Sequence, residues 1–199
     1  MDHYFTIETQ AIAEFKDRGS KFIAYSFPLK RTEEFKKYLQ ALKKEHPKAV
    51  HYCFAYRIGF HENNFRVSDD GEPAGTAGKQ ILGQIDSKKL TNILVIVVRY
   101  FGGTLLGVPG LIAAYKTTTS YVLQCTPVVQ KSIEINYSMQ FDYTMMNEVM
   151  HIMKQFNCTV HKNEMQLFCE MEAGFPKNRE NEVVNSLKNL YNLELQKMT

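Results

Sequence analysis

Apolar and polar positions alternate most regularly at Val50, Tyr52, Phe54, Tyr56 and Ile58, with His51, Cys53, Ala55 and Arg57 between them. A period of two marks a half-buried strand, so one face of this segment is expected on the core. Ser20–Leu29 reads as another strand, ending at Pro28. Between the two the spacing turns helical. Phe35, Tyr38, Leu39 and Leu42 form an apolar stripe, Lys36, Lys37, Lys43 and Lys44 lie mostly off it, and Pro47 stands just past its end. Thr32 is the expected cap, with Glu33 and Glu34 following at the positive end of the helix dipole. The lysine face suits an anionic partner or plain solvation. His61-Glu62-Asn63-Asn64 is turn material that would pair Phe65–Val67 back as a hairpin.

Two glycine-rich loops occupy the middle of the chain. The first, Ser68-Asp69-Asp70-Gly71-Glu72-Pro73-Ala74-Gly75-Thr76-Ala77-Gly78, leads into a short helix, Lys79–Ile85. A buried strand over Ile93–Arg99 then runs into Tyr100-Phe101-Gly102-Gly103-Thr104-Leu105-Leu106-Gly107, and Pro109 suits the first turn of a helix reaching about Cys125. Beyond it the predicted elements are a strand (Ile133–Phe141), a helix (Thr144–Phe156) and two strands, Cys158–His161 and Met165–Glu172, around a turn at Lys162-Asn163. A helix (Pro176–Leu190) and a last strand (Leu193–Met198) complete the order βαββαβ, the ferredoxin-like split unit.

Charge and glycine divide the chain in the same place. Residues 1–130 carry 17 Lys+Arg against 12 Asp+Glu, and residues 131–199 carry 7 against 9, so balances of +5 and −2 give the overall +3. Ten of the 11 glycines lie at or before Gly110. The expected organisation is therefore an α+β protein of two domains, 1–130 and 131–199. At 199 residues with 44% hydrophobic and 23% charged positions, disorder and collagen-like chains are excluded, and a sizeable core is within reach. The longest apolar stretch, Ile93–Val98, is strand-sized, and the N-terminus lacks the pattern of a signal peptide. The four cysteines have no CxxC spacing and read as reduced thiols, so a cytoplasmic protein with no membrane contact is expected.

The chemistry of the loops is open at this level. Glycines before a helix can present N–H groups to an anion, or simply permit tight turns and close packing. A P-loop is absent, because Gln80 follows Gly78-Lys79 and Pro73 stands where the first glycine should be; a GxGxxG fingerprint is absent too. Asp69, Asp70 and Glu72 could hold a hard cation or simply form turns; they lack the ligand alternation of an EF-hand loop, and no metal or cofactor is expected. Cys53 follows His51 by two residues on one strand face, which does not by itself aim a base at a thiol, and no catalytic residue is assigned.

Taken together, His51-Tyr52-Cys53-Phe54-Ala55-Tyr56-Arg57, the first loop with its Asp69, Asp70, Glu72, Gly75, Thr76 and Gly78, and Val98-Arg99-Tyr100-Phe101-Gly102-Gly103-Thr104-Leu105-Leu106-Gly107-Val108-Pro109-Gly110-Leu111 resemble the IMPACT family in its two-domain bacterial form. Val108-Pro109 departs from the small residues expected there. The resemblance implies a first domain with the fold of elongation factor G domain IV and a small-subunit ribosomal protein, and a ferredoxin-like second domain. It also implies a translation-linked, non-enzymatic role. Eukaryotic members act on general amino-acid control through an additional N-terminal partner-binding domain that is not expected here. RNA or the ribosome is the expected partner, by analogy of fold. Arg57, Arg66, Lys79, Arg99 and Lys116 would engage phosphates, and Tyr100 and Phe101 would stack on unpaired bases or pack under the glycine loop. An enzyme holding a phosphorylated small molecule between the loops is the first alternative. The second is a protein-interaction module using the acidic C-terminal domain.

Overall fold

The computed structural model describes residues 2–60, 64–165 and 168–198. It is a mixed α/β structure whose described residues form three sheets and five α-helices. Contacts divide the chain into two compact units: Tyr4–Gln130, and Lys131–Thr199 with Met1–His3.

The larger unit contains β1 (His3–Ile7) apart from its first residue, β2 (Ala11–Asp17), β3 (Ser20–Pro28), α1 (Glu34–Glu45), β4 (His51–Arg57), β5 (Phe65–Ser68), α2 (Gly78–Ser87), β6 (Ile93–Tyr100) and α3 (Gly107–Cys125). The chain then enters β7 (Val128–Ser132), which pairs with β1. The main sheet has the order β2-β3-β6-β4-β5, antiparallel throughout. Helices cover both of its faces. Tyr25, Phe27, Tyr52, Phe54, Ile96 and Val98 pack on Phe35 and Leu42 of α1. Phe22, Cys53, Ala55, Val95 and Val97 pack on Ile81 and Ile85 of α2 and on Leu111, Tyr115 and Val122 of α3.

That layering corrects two expectations. β4 is buried on both faces, because its small residues Cys53 and Ala55 lie under α2 and α3. The alternation of large and small side chains thus reports two unequal cores, not one core and solvent. Thr32 does not cap α1: its hydroxyl donates to Glu33 Oε1 at 2.8 Å, and the helix starts at Glu34 with no side-chain cap. β5 returns along β4 as expected, while the turn residues 61–63 lie outside the described part. β1 and β2 were not signalled by the pattern.

The smaller unit contains β8 (Glu134–Phe141), α4 (Met146–Gln155), β9 (Thr159–Met165), β10 (Cys169–Pro176), α5 (Glu180–Lys188) and β11 (Glu194–Lys197). Its antiparallel sheet has the order β11-β8-β10-β9. Tyr137, Met139, Phe141, Met171 and Phe175 meet Val149 and Met153 of α4 and Val183 and Leu187 of α5 in one core. Lys162 and Asn163 are not a turn: they pair with Glu172 and Met171 inside the β9–β10 ladder, which overrides the local turn preference of asparagine.

Candidate functional site

Strand register places the candidate residues at the end of the main sheet where β4 and β3 begin and β6 finishes. His51 is opposite Arg99, and Arg99 is opposite Phe22. Both glycine loops fold over this end, and α2 and α3 start from it. Arg99 is 5% exposed and Glu72 8%. Arg99 Nη1 donates to Glu72 Oε1 at 2.6 Å, and the Tyr115 hydroxyl donates to the same oxygen at 2.8 Å. A buried cation is tolerated only when paired, and Glu72 is the partner. His51 Nε2 stands 3.9 Å from Glu72 Oε2, and its Nδ1 lies 2.8 Å from the Asp70 carbonyl, so Nδ1 carries the proton that is donated there.

Cys53 extends this polar chain inward. Its Sγ lies 3.0 Å from the Asp69 carbonyl and 3.2 Å from Tyr115 Oη. Burial first, then the nearby carboxylates, push the Cys53 thiol far above the ordinary thiol range. Burial likewise raises Tyr115. A thiol held neutral is a poor nucleophile, so Cys53 acts as a small core residue.

The first loop closes around its own carboxylate. Asp69 Oδ1 accepts from the backbone N–H groups of Ala77 and Gly78 at 3.0 and 2.8 Å, and Oδ2 from Gly75 N–H at 2.9 Å. These amides include the start of α2, where an external anion would have bound. Asp69 fills that position. Asp70 Oδ2 accepts from Tyr52 N–H at 2.7 Å, Thr76 Oγ1 donates to the Pro73 carbonyl at 2.7 Å, and a Cβ on Gly78 would lie 2.8 Å from Ser68 N. The three acids are therefore engaged by amides and by Arg99 rather than gathered as cation ligands. Among the described residues no group of three His, Cys, Asp or Glu side chains is placed to hold a metal.

In the second loop glycine serves close packing. A Cβ on Gly102 would lie 1.9 Å from the carbonyl carbon of Gly19, in the turn joining β2 and β3. Ser20 Oγ accepts from Gly102 N–H at 3.3 Å, and Arg18 Nη2 donates to the Leu106 carbonyl at 3.1 Å. Gly103 and Gly107 have φ of +84° and +70°, the left-handed region that glycine adopts without strain.

Between the second loop and the start of α3 lies a cleft of about 420 Å³. Val50, Pro73, Phe101, Leu105, Val108 and Leu111 supply most of its lining, and His51, Glu72 and Arg99 its polar groups. Phe101 is 49% exposed, with the Arg99 guanidinium 5.8 Å from its ring centre. Tyr100 is otherwise engaged, its hydroxyl 2.9 Å from Nδ1 of His46, whose Nε2 lies 2.6 Å from the Tyr25 hydroxyl.

The five basic residues expected to share a phosphate-binding surface do not converge. Lys79 is exposed at the start of α2 and Lys116 along α3. Arg57 is at the far end of β4, bound through Nε to Asp86 Oδ1 at 2.7 Å. Arg66, opposite Tyr56, lies over Phe35 and Phe54 on the α1 side of the sheet. Arg99 is beneath the surface. Tyr115, Ser20 and Arg18 belong to the site but were missed. A lone arginine ending an all-apolar strand was the available signal that a buried acid must be close by.

Residues 18–123, which hold this whole arrangement, match the family model described as Impact N-terminal domain. The chain belongs to the IMPACT family. The IMPACT family member YvyE of Bacillus subtilis is 34% identical over 146 residues, 73% of this chain and 67% of that protein. The family member YigZ of Escherichia coli is 31% identical over 161 residues, covering 80% and 79% of the two chains. A solved structure titled as that of a hypothetical protein matches 100% of this chain and 98% of its own, with a TM-score of 0.76 at 27% identity. Within the IMPACT-type unit, the residues that carry the family resemblance are the ones that build the Arg99–Glu72 centre and its two loops.

Proposed function

We propose that the protein is a non-enzymatic, cytoplasmic, translation-linked regulator that contacts RNA or the ribosome through the loop end of its N-terminal domain, residues 1–130. Membership of the IMPACT family fits a translation-linked regulatory role. On this reading the N-terminal domain has the fold of elongation factor G domain IV and a small-subunit ribosomal protein. The C-terminal domain, 131–199, is ferredoxin-like, in keeping with its βαββαβ order and strand order β11-β8-β10-β9. Among the described residues no helix is long and apolar enough to cross a membrane.

The observation that carries the reading is the way the reactive groups of the two loops are already engaged. Asp69 is held by loop amides, Glu72 by Arg99 and Tyr115, and Cys53 as a neutral thiol, so the site offers a shaped surface rather than a poised acid, base or nucleophile. Exposed cations at the same end, Arg18, Lys48 and Lys79, with Lys116 along α3, suit phosphates.

A filter-binding titration against ribosomes and single-stranded RNA at several salt concentrations tests this. Affinity is expected to fall with salt, and Lys79→Ala/Lys116→Ala to flatten the slope by about 0.7 for each phosphate that the variant no longer neutralises. Absence of binding, or a slope unmoved by the double variant, would count against the proposal. Saturable binding of a nucleotide in place of RNA would favour the enzyme class instead.

A further inference from the structure

We propose that the cleft beside Phe101 receives one unpaired RNA base, an inference that rests on the RNA-binding reading above and names where the base would go. The first support is a donor without an acceptor. Arg99 is 5% exposed, it lines the cleft, and its Nε is buried with no hydrogen-bond partner among the described residues. Its other nitrogens are used, Nη1 by Glu72 and Nη2 by Ser20 Oγ at 3.5 Å. A buried N–H left unpaired is an unmet demand, which a small shift of the Arg99 side chain toward an acceptor on a ligand would satisfy.

The second support is the character of the cleft. At about 420 Å³ it falls in the size range of small-ligand sites, and its walls are mainly apolar around a few polar groups. The Arg99 charge is already matched by Glu72 at 2.6 Å, so the floor holds no surplus positive charge for a phosphate. Its polar lining is Arg99, whose unpaired Nε–H lies just beneath the cleft surface, and His51, whose ring donates through Nδ1 and leaves Nε2 as an acceptor. A planar ring with carbonyl or ring-nitrogen acceptors and N–H donors on its edge meets both. An apolar side chain meets neither.

The third support is the rim. Phe101 is half-exposed and has the Arg99 guanidinium on one side of its ring, leaving an aromatic surface of the kind on which single-stranded bases stack. Arg18, bound to the Leu106 carbonyl, and Lys48, two residues before Val50, are exposed and would take the phosphates flanking the inserted nucleotide.

The test compares a short labelled oligouridylate with an abasic oligomer that has the same number of phosphates. Wild-type protein is expected to bind the abasic oligomer roughly 5- to 150-fold more weakly, the equivalent of the ~1–3 kcal/mol that stacking one base contributes. Phe101→Ala, and independently Val108→Trp, which fills the cleft from the half-exposed first turn of α3, should lower oligouridylate binding to the abasic level. Neither should change the salt slope, because no group that meets a phosphate is altered. Equal affinity for the two oligomers, or affinity unaffected in both variants, overturns the cleft inference and leaves RNA binding standing. If wild-type protein binds no RNA at any salt, the RNA-binding reading falls and this inference with it.

Discussion

Glu72→Ala is expected to destabilise the N-terminal unit by about 3–5 kcal/mol, the effect of stranding one member of a buried ion pair. The Glu72 side chain is 3% and the Arg99 side chain 6% exposed, so the pair is a buried one. The Tyr115 hydroxyl loses its acceptor in the same step, and Arg99 is left with Ser20 alone. Urea unfolding followed by a probe in this unit would measure the change. A double variant, Glu72→Leu/Arg99→Met, removes both charges and should cost much less than the sum of the single changes. Additive effects would show that the two side chains act independently. The same geometry makes Arg99 a poor choice for testing phosphate binding, since its removal would unsettle the loops before any ligand was released.

Gly102→Ala is the second large effect, expected at about 3 kcal/mol or more. The added Cβ would stand 1.9 Å from Gly19 C and 2.2 Å from both Gly19 O and Ser20 N, all of them backbone atoms that cannot swing aside. Ordinary overpacking costs roughly 1–3 kcal/mol because side chains can yield, and here they cannot. Gly103→Ala is the control. Its Cβ meets no described atom within 4 Å, so only the left-handed φ of +84° is penalised, by roughly 1–2 kcal/mol. Thermal unfolding should rank Gly102→Ala well below Gly103→Ala. The reverse order would mean that the close approach of the β2–β3 turn to the second loop is not what glycine is there to allow.

These two cases also show why the site was only partly legible. β3, α1, β4, α2, β6 and α3 could be read directly, β4 from its alternation, α1 from its helical stripe and β6 from an unbroken apolar run. β2 could not: it turns Ala11 and Ala13 inward and Ile12 outward, so its hydrophobic contrast is weak although its burial alternates. In the loops the residue types were visible but their partners were not. Asp69, Asp70 and Glu72 look like a cluster in sequence. They separate in space because Asp69 is drawn to the amides of Gly75, Ala77 and Gly78, and Glu72 to a strand residue 27 positions away. A run of acids records composition, whereas a buried arginine dictates that one of them must come inside. The basic residues failed as a set for a related reason. Arg57 and Arg66 share a hairpin, yet strand pairing puts them on opposite faces of the sheet, each occupied by its own neighbours.

On the proposed reading, the loop end of the N-terminal unit meets RNA. Ultraviolet cross-linking of the intact protein to single-stranded RNA and to ribosomes, followed by mapping of the linked peptides, tests it most directly. The predicted links fall within residues 69–79 and 99–111, and they disappear from the second segment in Phe101→Ala. Links confined to residues 131–199, or none with either partner, would contradict the account.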